Sequence, residues 1–448
     1  MKTVLLIDDD QVVRAALARA CRAAGWTVLE ADDGDAGLEQ ALRHRPAVMV
    51  CDLFMPRYNG FQLARAVRGH ADRLGRPLII MTSVSAYESD RKNALEAGAD
   101  EYLVKPVRTT ELLEHLARVA PAESPPTPGA DGGSGQGPPE PVRLRFWGVR
   151  GSVASPGAAT VFYGGNTACV EVRSDGELIV LDAGTGIRPL GLALVEEFDQ
   201  RPIELTILVS HMHWDHIQGL PFFVPAYNAK NLIRILGYEG ARRGLEITLA
   251  AQMESPYFPV GLEQMPGNIT VEELRELKFS VGQVQVQAAF FNHPGNCAGY
   301  RLFTSGGSIA YLPDVEPHRP FGKSDAEARA DPEQLLFAQR EKDKLVGFVR
   351  DADVLIMDAQ YSAEEYKAHV GWGHSSVDQT VALAVEANVK RLFLFHHDPA
   401  HDDAQVSRLV EDARKLVAQR GSQLVVDAAR EGLEVVLAKV AEPRPSAD

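Results

Sequence analysis

One short loop concentrates the chemistry of this chain. Ser210-His211-Met212-His213-Trp214-Asp215-His216 places three imidazoles and a carboxylate within six residues, directly after an apolar strand predicted over Leu205–Val209. Neutral imidazole and carboxylate are both good ligands for Zn²⁺ and its first-row neighbours. His211 and His213 suit one ion, and Asp215 and His216 a second. Each ion needs further donors, and His293 (in Asn292-His293-Pro294-Gly295), Asp314 (after a strand over Ser308–Leu312) and His396 (after a strand over Leu392–Phe395) supply candidates. Two ions side by side activate water and hold the group under attack, so the set points to hydrolysis.

A second constellation lies near the N-terminus. Asp8 and Asp9 follow the first predicted strand, Asp52 the third, Thr82 the fourth and Lys105-Pro106 the fifth. Carboxylates gathered on one rim repel unless a hard cation sits among them, and Mg²⁺ prefers such oxygen ligands. A carboxylate beside Mg²⁺ and an ammonium is a suitable acceptor for a phosphoryl group, whose charge both cations offset.

With these residues in order, residues 1–120 resemble the receiver domain of bacterial two-component response regulators. The resemblance implies a flavodoxin-like fold, Asp52 as phospho-acceptor, Asp8, Asp9 and Asp52 as Mg²⁺ ligands, and Lys105 as the phosphate-binding cation. It also implies Thr82 as the switch hydroxyl and Tyr102 as the switching aromatic. The interval from Thr82 to Lys105 is a residue longer than in many receivers, which leaves Ser83 as the alternative hydroxyl.

The histidine-rich set resembles the metallo-β-lactamase superfamily over residues 143–441, implying a four-layer αββα sandwich. Carried over, the resemblance implies His211, His213 and His293 on one metal, Asp215, His216 and His396 on the other, Asp314 bridging, and Asp182 as a structural aspartate. The metals implied are two divalent transition ions, Zn²⁺ first and Mn²⁺ or Fe as alternatives. Asp358 and His374 occupy the places where the phosphodiesterase branch, including ribonuclease Z, carries a carboxylate and a proton-donating histidine. Here Asp stands for the nuclease's Glu, which shortens the reach. Asp215, His374 and Asp358 are thus the expected catalytic groups. The bland alternative for Gly373-His374-Ser375-Ser376 is a helix N-cap before a helix over Val377–Ala387. Trp147–Ser152, Gly164–Thr167 and Leu220–Phe223 look like a bacterial branch of phosphodiesterase-like hydrolases, with cyclic nucleotides as the suspected substrates. Arg150 and Asn166 are candidates for a phosphate contact or for a tight turn. His397, His401, His369 and His318 read as surface or supporting residues and Cys297 as packing, while the insert around Met253–Glu276 is a lid over the site or a surface excursion closing a core edge.

The elements that must position these residues fit an α/β protein of 448 residues, long enough for two or three domains. Apolar runs at Val4–Ile7, Val48–Cys51, Leu78–Met81 and Tyr102–Val104 alternate with helical patterns at Val12–Ala24 and Arg91–Ala97, predicting a doubly wound parallel sheet with its site beyond the strand ends. Residues 121–142 hold seven prolines and five glycines and read as a linker spanning ~25 Å or somewhat more. Beyond it come more strands, among them Val284–Ala289, and late helices near Val377–Ala387 and Ala404–Gln419, then a polar tail over 442–448.

The net charge of −15 falls almost wholly after residue 120, where 30 Lys+Arg face 44 Asp+Glu. Such a surplus disfavours DNA binding and a large RNA footprint. Four scattered cysteines, Cys21, Cys51, Cys169 and Cys297, with no CxxC pair, read as reduced thiols. With no apolar run of membrane length, the expected location is the cytoplasm. The function expected is a response regulator whose output is a metal-dependent phosphodiesterase for a small phosphodiester. Alternatives are a ribonuclease of the tRNA 3′-processing kind and a phospho-dependent adaptor with a non-catalytic hydrolase fold. The partners expected are a sensor histidine kinase or phosphotransfer protein and, through the receiver, a second copy in a homodimer.

Overall fold

A computed structural model describes residues 3–116, 141–318 and 332–437, apart from 54, 56–59, 85–90, 92, 93, 96, 200, 239–243, 256 and 296. The segment read as linker and the polar tail lie almost wholly outside the described residues, as does part of the helix expected over Arg91–Ala97.

The N-terminal unit is a five-stranded parallel sheet in the order β2-β1-β3-β4-β5, with β1 Thr3–Ile7, β2 Thr27–Ala31, β3 Val48–Asp52, β4 Leu78–Ser83 and β5 Glu101–Val104. Its central strands are apolar almost throughout because both faces are covered, one by Leu17, Leu112 and Leu116, the other by Phe61, Leu63 and Val67. The third aspartate of the first loop acts locally, as a helix cap. Asp10 Oδ1 accepts from the Val12 and Val13 amides at 2.8 and 3.2 Å, at the start of the helix Gln11–Ala23. That leaves Asp8 and Asp9 at the sheet's carboxyl edge.

The second unit stacks two seven-stranded sheets between helices. One sheet runs β11-β10-β9-β8-β7-β6-β19, with β6 Val142–Gly148, β7 Cys169–Ser174, β8 Glu177–Leu181, β9 Glu204–Val209, β10 Leu232–Gly237, β11 Asn268–Glu273 and β19 Glu434–Leu437. The other runs β12-β13-β14-β15-β16-β17-β18, with β12 Lys278–Val281, β13 Val284–Phe291, β14 Cys297–Thr304, β15 Gly307–Leu312, β16 Val354–Asp358, β17 Arg391–Phe395 and β18 Val425–Ala428. β6 opens at Val142, inside the stretch read as linker. Phe146, Phe393, Tyr300 and Tyr311 fill the space between the sheets, Phe146 and Phe393 with ring centroids 5.1 Å apart. The helix Ile187–Phe198 covers the outer face of the first sheet, and Pro332–Val349, Val377–Glu386 and Asp403–Gln419 cover that of the second. These are the four layers expected.

The three last helices are crossovers joining the parallel strands β15 to β18, which fixes the carboxyl ends of those strands at one edge. β13 runs parallel to β15 through antiparallel β14, so its end arrives at the same edge. The Ala298 amide donates to the Ser210 carbonyl at 2.9 Å and ties that edge to the loop after β9. The insert around Met253–Glu276 closes a core edge: β11 pairs with β10, and Met253, Leu262 and Met265 are buried beneath that sheet.

Candidate functional site

The ligand atoms converge in two clusters. In the first, His211 Nε2 and His293 Nε2 lie 2.9 and 3.1 Å from His213 Nδ1, and 3.6 and 3.4 Å from Asp314 Oδ2. In the second, His216 Nε2 and His396 Nε2 lie 3.3 and 3.1 Å from Asp215 Oδ2, and 3.1 and 3.3 Å from Asp314 Oδ1. The two oxygens of Asp314 thus face different clusters, the disposition of a bridging carboxylate. Among the described residues, His216 Nε2 and Asp314 Oδ1 are buried without a hydrogen-bond partner. Orphaned buried atoms aimed at one another fit a donor set built around cations.

The outer nitrogen of most of these imidazoles is engaged elsewhere, which fixes the ring and turns the inner nitrogen to the cluster. His216 Nδ1 donates to Asp182 Oδ2 at 2.7 Å, His293 Nδ1 to the Gly373 carbonyl at 2.8 Å and His396 Nδ1 to Gln360 Oε1 at 3.0 Å. Asp182, wholly buried, also accepts from the Ser210 amide and hydroxyl and from Tyr311 Oη, at 2.7, 2.8 and 2.7 Å. It supports the loop without reaching either cluster. Asp182 and His396 both hold left-handed backbone, φ 63° and 61°, at the ends of β8 and β17. Non-glycine residues in that region cost energy that the surrounding contacts must supply. Next to His396 no side chain fits at residue 151, because a Cβ on Gly151 would lie 2.3 Å from the His396 ring.

His374 sits beside both clusters, its ring centroid 5.1 Å from that of His293 and 4.7 Å from that of His396. Its Nδ1 lies 2.8 Å from Asp358 Oδ2, so the aspartate's shorter reach suffices. Asp358 is fully buried and oriented by the Val315 and Gln360 amides at 3.1 and 3.0 Å. Burial pulls the proton affinity of His374 down, but Asp358 more than offsets this and lifts the pKa to about 9. The segment does cap the helix Val377–Glu386, through Ser376, two residues after His374.

At the N-terminal sheet edge, Lys105 Nζ lies 2.9 Å from Asp8 Oδ2 and 3.0 Å from Asp52 Oδ1, with Asp9 at the exposed rim of the same cluster. Burial, opposed by Lys105 and reinforced by Asp8 and Asp9, raises Asp52 to about 7. A divalent cation among these oxygens would favour the ionised form of Asp52. Strand register pairs Asp52 with Thr82, placing Thr82 on the same sheet face as Asp52 and Ser83 on the other. Tyr102 is buried.

Residues 4–117 match the family described as response regulator receiver domain, and residues 178–397 match the beta-lactamase superfamily domain. The chain joins a response regulator receiver domain to a beta-lactamase-fold domain. Response regulator MprA of Mycobacterium sp. (strain KMS) is 37% identical over 129 residues, 28% of this chain and 55% of the relative. That of Mycobacterium leprae (strain TN) is 39% identical over 113 residues, 25% of this chain and 48% of the relative. The chain spans about half the length of the curated relatives it matches. Among solved structures, the metallo-beta-lactamase fold protein YhfI from Bacillus subtilis shares 16% identity, covering 66% of this chain and 100% of that one at a TM-score of 0.46. The Vibrio cholerae chemotaxis protein CheY4 shares 31%, covering 27% and 99% at a TM-score of 0.26.

Two candidates for a phosphate contact prove to be framework of the beta-lactamase-fold domain. Arg150 is fully buried, its guanidinium donating to the carbonyls of Gly164, Asp398 and His401 at 2.8, 3.0 and 2.6 Å. Asn166 is held by Glu431 through its amide and side chain, at 2.6 and 3.0 Å. His397 is buried, Nε2 donating to the Ala429 carbonyl at 2.9 Å, so it belongs to the interior and not the surface. All four cysteines are buried free thiols, Cys297 Sγ donating to the Asp314 carbonyl at 3.3 Å. No described helix is long and apolar enough to cross a membrane.

Proposed function

We propose that this chain is a phosphorylation-controlled, metal-dependent phosphodiesterase acting on a small phosphodiester such as a cyclic nucleotide. The observation that carries the reading is His374, charged by Asp358 and set between ligands of the two clusters. His211, His213, His293 and Asp314 would hold one divalent ion, and Asp215, His216, His396 and Asp314 the other. Such a pair supplies Lewis acidity and an activated water. The chain's own part is to present these ligands ionised or neutral as required, and to protonate the departing alkoxide from His374. An ester with a good leaving group has no need of that donor, whereas a ribose alkoxide does. Purified without chelator, the protein is expected to carry close to two transition-metal ions per chain by elemental analysis. A value near zero with undiminished hydrolysis would overturn the metal assignment. Substrate class is tested by assaying cyclic mononucleotides, cyclic dinucleotides, short RNA and thioesters side by side; preferential turnover of RNA would favour a nuclease, and of thioesters would remove the role of His374.

Control through Asp52 has a physical route. A cavity of about 660 Å³ is lined on one side by Asp9, Asp52 and Lys105 and on the other by Val315, Glu316 and Lys344. Val315 is the residue whose amide orients Asp358, so the segment facing the phospho-acceptor also holds the proposed acid pair. Phosphate on Asp52, donated by a histidine kinase or phosphotransfer partner, adds charge at this cavity and engages Thr82, with Tyr102 repacking. Phosphodonor or beryllofluoride treatment is expected to change the initial rate by roughly 5–150-fold, the range of ordinary allosteric coupling. Asp52→Ala should abolish the response. Stoichiometric modification with no change in rate, affinity or oligomeric state would reject the coupling.

A further inference from the structure

Two residues after Asp314, Glu316 connects loops that neither the ligand set nor the acid pair joins directly. It is buried, and its backbone is clamped to the residue before His293: the Glu316 amide donates to the Asn292 carbonyl at 2.8 Å, and Asn292 Nδ2 donates to the Glu316 carbonyl at 3.0 Å. Its carboxylate reaches the other way. Oε1 accepts from Tyr366 Oη at 2.7 Å and from the Gly371 amide at 2.8 Å, and Oε2 accepts from the Gly373 amide at 2.8 Å.

The segment so held cannot settle easily without help. Gly371 and Gly373 take φ of 87° and 91°, and a Cβ on Gly373 would lie 2.5 Å from His293 Nδ1. The Gly373 carbonyl accepts from that nitrogen, and His374 follows immediately. The amide of Gly373 is therefore fixed by Glu316, its carbonyl fixes a metal-ligand candidate, and the next residue is the proposed acid. An ionised carboxylate can accept all three donors at once and binds them more strongly than a neutral acceptor. Glutamine offers one accepting oxygen, and its NH₂ would face an N–H donor.

We propose that Glu316 is a positioning residue, its carboxylate holding the Tyr366–Gly373 loop so that His293 presents Nε2 to the first cluster and His374 faces both. The His374 half rests on the phosphodiesterase reading; the His293 half does not.

The test compares Glu316→Gln and Tyr366→Phe with the parent in the full-length, zinc-loaded protein. Glu316→Gln is expected to keep the thermal transition of a folded domain while the Gly371 and Gly373 amides exchange with solvent roughly tenfold faster or more, and zinc passes roughly 10–100-fold more readily to a competing chelator from one of two sites. Hydrolysis of a diester with an alkoxide leaving group should fall roughly tenfold further than that of an activated aryl diester. Tyr366→Phe, which removes one donor of three, should show the same pattern weakened. Unchanged amide protection and zinc affinity in folded Glu316→Gln would overturn the proposal. So would equal losses on both diesters together with fast exchange throughout the domain in both variants, the mark of a merely structural anchor. If the parent hydrolyses no diester, the phosphodiesterase reading fails, and the exchange and zinc measurements still decide the role of Glu316.

Discussion

Replacing Asp314 with alanine is expected to remove at least one of the two metal ions proposed for the site and to lower hydrolysis by roughly 10³-fold or more, the several kcal/mol that a metal centre contributes to a transition state. The reason is geometric. Oδ1 lies within 3.3 Å of His216 Nε2 and His396 Nε2, and Oδ2 within 3.6 Å of His211 Nε2 and His293 Nε2, so one side chain serves both clusters. Removing any single imidazole would leave one cluster complete; removing Asp314 depletes both. Although burial pushes its pKa up, the surrounding imidazoles of His396, His216, His211 and His293 hold the carboxyl well below its usual range. Elemental analysis after dialysis, with far-UV circular dichroism to confirm folding, makes the check. Two retained metals in a folded Asp314→Ala protein would show that Asp314 is not a ligand.

The sequence made the cluster legible because its ligands follow apolar strands at short, regular distances, and strand ends at one sheet edge are where an α/β fold gathers side chains. That rule pointed to His211 to His216, Asp314 and His396, while the division of the set between two metals, with His293 in it, came from the resemblance to the metallo-β-lactamase superfamily. Neither pointed to Glu316. Its partners are a tyrosine and two backbone amides 50, 55 and 57 residues away, and donors of that kind leave no signature in residue type. Arg150, read as either a phosphate contact or part of a tight turn, takes the structural role. An arginine beside glycines suggests an anion, yet its donors are spent on carbonyls up to 251 residues distant. Thr82 against Ser83 was likewise open until the register of β3 with β4 set which of them shares a face with Asp52. The insert after Met253 carries exposed aromatics such as Tyr257, which resemble a lid's, while the pairing of β11 with β10 depends on contacts no local pattern announces.

His374→Ala should divide substrates by their leaving groups. A general acid contributes roughly 10²–10⁴-fold where the departing group is a poor one, and little where an aryl oxide leaves unaided. The alkoxide diester is therefore expected to lose roughly 10²–10⁴-fold in kcat and the activated aryl diester less than about tenfold, with metal content unchanged, since every proposed ligand remains. On the proposed reading Asp358 would act through His374: its Oδ2 lies 2.8 Å from the ring's Nδ1, and the aspartate is fully buried. Asp358→Asn should accordingly show the same selective loss, and adding it to His374→Ala should cost little more, because two residues that work as one unit are not additive. Equal losses on both diesters in His374→Ala would take the histidine out of proton transfer. Fully additive losses in the double variant would show that Asp358 acts by another route, through the amides of Val315 and Gln360 that it holds at the end of β16.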